Sequence, residues 1–259
     1  MNNIFAISGV VIKEMYRRKD FYVLFVMTVI ITLLMASMRF FNDDNIVRFL
    51  KEICLLLIWV STLVIAITTA ARQIPVERES RTIFPLLAKP VSRWELIVGK
   101  FTGCWLACGI ALVTFYFFFG LITSSRDHSW PLSTFFQAFW LHWICLGIVV
   151  AATLLGSVVF TAQSSNNTIC FIIVVGILFA GGHLNRIALS MQGFGGMLVS
   201  AIYFAIPHLE WFDLKEFVIH DWAAINWIVI GGATLYGLIY TLFFLGATWL
   251  VFRRKGLTL

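Results

Sequence analysis

Long apolar runs, each near the ~20 residues a helix needs to cross a ~30 Å hydrocarbon core, are separated by short clusters of charge. This pattern constrains the fold more than any other feature of the chain. With 60% hydrophobic and 12% charged residues over 259 positions, the polypeptide exposes too much apolar surface for water to hold it. The runs are continuous rather than alternating, which excludes a barrel, and an open sheet in lipid would leave backbone groups unpaired. The expected class is all-α: a polytopic membrane bundle forming one transmembrane domain over residues 1–259.

Six spans are expected, at about 21–38, 53–71, 101–123, 138–162, 168–184 and 226–251. Six crossings bring both termini to one side. That side then carries Lys13, Arg17, Arg18 and Lys19, the basic residues of the 72–100 loop, and Arg253, Arg254 and Lys255. It holds thirteen of the nineteen Lys and Arg, while the other side has six against eight Asp and Glu. The positive-inside rule makes the richer side cytoplasmic. Residues 187–207 are also long and apolar, but a seventh crossing would send a basic segment outside. Gly193, Gly195, Gly196 and Pro207 suit a bent or re-entrant helix, so 185–221 is read as a lid between spans 5 and 6.

Residues 1–20 form an arm in which Ile4, Ile7, Val11, Ile12 and Met15 recur at three and four, beside a basic group that can meet anionic head groups. It is either an interfacial helix on membrane lipid or a continuation of the first span. Lys13 to Asp20 precede a full-length apolar run with no small-residue cleavage pattern, so no cleavable signal is expected. Cys54, Cys104, Cys108, Cys145 and Cys170 all fall in apolar runs without ligand spacing and are read as packing residues.

The densest charge, RQIPVERESR, leads into TIFPLLAKPVSRWELIVGK at 82–100. Ser80 or Thr82 can cap a short helix with Pro85 near its first turn, ending before Pro90. Ser92 followed by Glu95 fits a capping box, so a second helix should start at Arg93 and enter the third span. Ile83, Phe84, Leu86 and Leu87 can lie on lipid or enter a groove on a partner. The flanking Arg78, Glu79 and Arg81 look like the rim of an interface and favour the partner.

The run Glu77-Arg78-Glu79-Ser80, Thr82, Leu86-Leu87-Ala88, Pro90-Val91-Ser92-Arg93 and Gly99-Lys100 resembles the signature of type-two ABC transporter permeases. The spacing matches without gaps, and IPHLEWFDL at 206–214 and the end at 252–254 are weakly similar too. Arg81 stands where the family usually has Gly, and Pro85 where it usually has a leucine. The resemblance implies a permease of an exporter in the bacterial cytoplasmic (inner) membrane. It also implies pairing with a second permease copy, as homodimer or with a close paralogue, and two cytoplasmic ABC ATPases docked on a coupling helix. Glu77, Arg78, Glu79, Thr82, Ile83, Phe84, Leu86, Leu87 and Arg93 would form that contact. The chain is then not an enzyme and holds no cofactor or metal; ATP and Mg belong to the partner ATPase. Independently, Gly99-Lys100 is followed by Phe101 and lacks the upstream glycine of a phosphate-cradling loop.

Two further readings stand beside this one. A permease-like mechanical transmitter, as in the copper-enzyme maturation systems of the family, would act on a periplasmic protein. A membrane anchor of a redox enzyme would want paired haem ligands, and His142 and His183 lack a motif. Asp127-His128, His208 with Glu210, Asp213 and His220-Asp221 are read as solvated polar residues of outer loops rather than a metal site. Arg39, Asp43, Asp44, Arg48 and Lys51 are read as a solvated outer connector, and QSSNNT at 163–168 as a tight inner turn. Gly103, Ala107 and Ala111, with Ala152 and Gly156, provide small faces for close packing. Nothing marks a nucleic-acid surface.

Overall fold

The structure is a computed structural model that describes residues 2–37, 43–79, 92–127, 132–190 and 194–254. Among these residues it is helical without strands. The helices are α1 (Asn2–Arg17), α2 (Lys19–Ser37), α3 (Asp43–Ala71), α4 (Pro75–Glu79), α5 (Arg93–Asp127), α6 (Leu132–Val159) and α7 (Gln163–Ser190). They continue with α8 (Phe194–Ala205), a 3-10 turn (Leu209–Phe212), α9 (Lys215–Ile219) and α10 (Trp227–Arg254).

Each expected span overlaps a helix. Among the described residues, four helical stretches are long and apolar enough to cross a membrane: Val47–Glu79, Arg93–Ser124, Leu132–Val159 and Trp227–Arg254. The apolar stretches in α2 and α7, Phe21–Leu34 and Gln163–Phe179, are shorter. The centre of the bundle is α6, packed against α3, α5, α7 and α10, which is why its side chains from Ile144 to Ala151 are all buried. Many outward side chains are large and apolar, such as Val26, Val113, Phe117, Ile172, Leu242 and Phe243. A surface of that kind is stable only in lipid.

Tertiary ties fix which ends lie together. The end of α3 and α4 meets the start of α5 through Lys100 and Glu77, and α1 meets α3 through Glu14 and Arg72. The Asn166 amide, at the start of α7, donates to the Ala71 carbonyl, and Arg93 reaches the last carbonyls of α10. Helix α1 and the end of α10 therefore share one end of the bundle. At the opposite end, Lys51 of α3 binds Asp221, and Gln137 of α6 exchanges two hydrogen bonds with the backbone of Ile225.

The arm is more tightly held than a helix resting on lipid. Helix α1 runs in the same direction as the start of α5, with Ile7 against Gly99 and Val11 against Gly103. A Cβ at these glycines would fall 2.9 Å from Ile7 Cβ and 2.8 Å from Val11 Cβ. Ser8 Oγ donates to the Gly99 carbonyl at 2.9 Å and lies 2.7 Å from Thr102 Oγ. Val11 and Met15 are buried, while Phe5 and Val10 point away from the bundle.

The solvated connector expected at 39–51 is corrected in part. Helix α3 begins at Asp43, so Arg48 and Lys51 belong to its first turns, and Lys51 is 2% exposed. Its ammonium is held 2.8 and 2.9 Å from the two carboxylate oxygens of Asp221. An ammonium can be buried at this depth because a carboxylate pairs with it.

Candidate functional site

The charge around the loop resolves into ties made by the residues on either side of it. On the incoming side, α3 ends at Ala71, a turn follows, and Pro75 opens α4 at a position where its missing N–H costs nothing. This short helix turns Glu77 back toward the bundle. Glu77 Oε1 lies 2.6 Å from Lys100 Nζ, and Gln73 Oε1 accepts a second bond from the same ammonium at 3.2 Å. Lys100 is 3% exposed, and the second oxygen of Glu77 is buried without a hydrogen-bond partner. Such a pair contributes more to position than to net stability, because desolvating both charges offsets most of their attraction.

On the outgoing side the capping box forms as expected. The Ser92 backbone N–H donates to Glu95 Oε2 at 2.8 Å, and the Glu95 N–H donates to Ser92 Oγ at 3.2 Å. Helix α5 accordingly starts at Arg93. The Arg93 guanidinium donates to the carbonyl oxygens of Phe252 and Arg253 at 3.0 and 3.1 Å, with its Cζ 5.6 Å from the centre of the Phe252 ring. Carbonyls in the last turn of a helix have no partner within it, and a cation there also meets the negative end of the helix dipole. Arg93 thus joins the start of α5 to the end of α10.

Of the residues expected at the coupling contact, Glu77 and Arg93 serve these internal ties. Arg78 is half-buried and Glu79 exposed. Thr82, Ile83, Phe84, Leu86 and Leu87 lie outside the described residues, as do Ser80, Pro85, Lys89 and Pro90. Four contributors were not singled out as contact residues by sequence. Glu14 and Arg72 link α1 to the end of α3, Lys100 holds Glu77, and Gln73 completes its shell.

Asn166 was read as part of a tight connector. It is fully buried, and its amide donates to the carbonyls of Ala71 and Thr153 at 3.3 Å each. Gly156 makes room for it: a Cβ there would fall 2.1 Å from Asn166 Oδ1. All five cysteines are buried and free, the packing role expected of them.

His142 is enclosed between α3, α5 and α6. Its ring stacks on Trp59 at 4.1 Å with 7° between planes, and Nε2 lies 3.0 Å from Thr62 Oγ. His208 is likewise buried rather than solvated, stacked on Tyr203 at 4.2 Å.

This architecture, an apolar helical bundle with its charged side chains gathered at the ends, defines a multi-pass membrane protein. A family model described as "ABC-2 family transporter protein" matches residues 10–257, and the chain belongs to that family. Permeases of this family are membrane subunits that work with cytoplasmic ABC ATPases. A search of curated proteins finds no match to the chain.

Proposed function

We propose that this chain is the permease subunit of an ATP-driven exporter, in which a separate cytoplasmic ATPase binds ATP and Mg and moves the segment 80–91. In this reading six helices cross a bacterial cytoplasmic membrane, both termini are cytoplasmic, and two permease copies pair. The observation that carries it is the anchoring of that segment at both ends, by Glu77 on Lys100 and by Arg93 on the carbonyls of Phe252 and Arg253. Between those anchors stand Ile83, Phe84, Leu86 and Leu87, an apolar group suited to a groove on a partner. A push on a segment held at both ends is delivered to α3, α5 and α10 instead of being absorbed in a slack linker.

The test is the double variant Leu86→Asp with Leu87→Asp, purified from its native membrane. Two charges placed in a desolvated contact cost several kcal/mol. The expected outcome is an inserted, paired permease that no longer retains its ATPase. Undiminished retention of the ATPase, with normal coupled hydrolysis, refutes docking through these leucines.

A further inference from the structure

Helix α3 marks both edges of the hydrocarbon. Lys51 pairs with Asp221 near its start, and Arg72 pairs with Glu14 just past its end. From Lys51 to Arg72 a helix rises about 31 Å at ~1.5 Å per residue, the thickness of one ~30 Å core. Glu14 therefore stands at the edge on the charged end of the bundle. Beside it Lys13, Arg17 and Lys19 are exposed, and among the described residues none of the three meets a carboxylate. Lys13 and Arg17 lie one helical turn apart, a spacing at which like charges repel. Exposed Tyr16 and Tyr22 flank the group, as aromatic side chains do at a membrane–water boundary.

The depth of these cations sets them apart from the loop at 80–91. Val11 packs at Gly103, and the Phe21 ring meets the Phe115 ring edge-on at 6.2 Å, so residues 13–19 run beside α5 between those two levels. Even the nearer level is about 15 Å along α5 from Arg93, toward the membrane. The apolar stretch of α2, Phe21–Leu34, is about 21 Å long and falls ~9 Å short of a ~30 Å core. A short span draws the bilayer in around it, and flanking Lys and Arg snorkel to the head groups. Below them Val23, Val26, Met27, Ile30, Leu33 and Leu34 form an exposed apolar stripe at helical spacing.

We propose that the junction of α1 and α2 binds an anionic phospholipid from the leaflet at the charged end. Lys13, Arg17 and Lys19 hold its phosphate, and its acyl chains lie along the stripe on α2. A second copy of the chain, related by a two-fold axis along the membrane normal, would bring the same three cations to the same depth, where like charges repel. The inference does not rest on the permease reading, since binding needs no ATPase.

The test uses the full-length chain in phosphatidylcholine nanodiscs. All five native cysteines are buried, so a single Val26→Cys takes a fluorescent label on the exposed stripe. The quencher is tail-brominated phosphatidylglycerol or, in a matched series, tail-brominated phosphatidylcholine. Half-maximal quenching by the phosphatidylglycerol is expected at a lipid fraction on the order of tenfold lower. A label at Leu235→Cys, exposed on α10 toward the opposite end, should be quenched equally by both lipids. Lys13→Gln with Arg17→Gln and Lys19→Gln should erase the preference at Val26→Cys without moving the thermal midpoint in phosphatidylcholine, whereas the charge-conserving Lys13→Arg with Lys19→Arg should keep it. Equal quenching by the two lipids at Val26→Cys overturns the proposal, as does a preference that survives the triple variant. A preference as strong at Leu235→Cys also overturns it, because it marks diffuse attraction to a basic protein. So does a disulfide between two unlabelled Val26→Cys copies whose yield phosphatidylglycerol leaves unchanged, because a second chain would then cover the stripe.

Discussion

Replacing Lys100 by Met should destabilise the protein far more than a surface lysine would. Lys100 Nζ and Glu77 Oε1 are 2.6 Å apart. At an effective dielectric of about 20 their attraction is about 6 kcal/mol, most of which desolvation of the two charges offsets. Losing one partner is different, because the other charge stays behind; in buried pairs this costs about 3–5 kcal/mol. The Glu77 side chain is 21% exposed and one of its oxygens already lacks a partner, so the lower end, about 3 kcal/mol, applies. For a chain of this size that is a fall of roughly 6–12 °C in thermal midpoint, measurable on detergent-purified protein. Combining Lys100→Met with Glu77→Leu removes both charges and should recover most of the loss, since an apolar pair of similar volume is often neutral. A double variant no more stable than Lys100→Met alone would refute the tie as the cause.

Gly103→Leu should detach α1 from α5, because the new side chain would meet Val11 Cβ at 2.8 Å and the Ser8 backbone at 3.0 Å, whereas Gly9→Leu, with open space around it, should be tolerated. Faster proteolysis of the arm in the first variant and not the second is the expected readout. Gly156→Ala should displace the Asn166 amide and cost about 1–3 kcal/mol by depriving that buried amide of its bonds to the Ala71 and Thr153 carbonyls. In an Asn166→Ala background the same substitution should be nearly silent, a non-additivity that thermal midpoints would reveal. Asp221 has a φ of 52°, so Asp221→Asn keeps a residue that tolerates this backbone while removing the charge that holds Lys51. Hydrogen exchange at 222–226 should speed up in Asp221→Asn and further in Asp221→Lys.

The helical class, the position of every long helix and the start of α5 could be read locally. A hydrophobic run of bilayer length and a Ser92–Glu95 box carry their meaning within a few residues. What could not be read are contacts between distant segments. Lys51 looked solvated because its neighbours in sequence, Arg48 and Asp44, are charged; the carboxylate that allows its burial is 170 positions away. Gly99 looked like part of a loop motif, yet what it accommodates is α1, whose Ser8 bonds to it from 91 positions away. His208 seemed a polar loop residue because the rings around it come from α8 and α10 as well as from its own turn. The charged face of the loop was visible, but its division into internal ties and outward residues was not, since Glu77 and Glu79 differ only in which way a short helix turns them.

The ties at the charged end also determine which helices can move together. Helix α5 is gripped on one face by α1 through Gly99 and Gly103, and its Lys100 binds Glu77 just beyond α3. Arg93 adds the end of α10 to the same unit. On the proposed coupling, a load on 80–91 meets α5 together with α1, the end of α3 and the end of α10, since each of these is tied to α5 by an ionic, hydrogen-bonded or close-packed contact. Helix α7 is held differently. At this end its tie to α3 is the Asn166 amide on the Ala71 carbonyl, a single neutral hydrogen bond of 3.3 Å worth about 1 kcal/mol. Along the rest of its length it lines an apolar cavity with α6 and α10 on one side and exposes Ile172, Ile173 and Phe179. On the proposed coupling, motion started at the charged loop meets less resistance at α7 than at α1, α5 or α10.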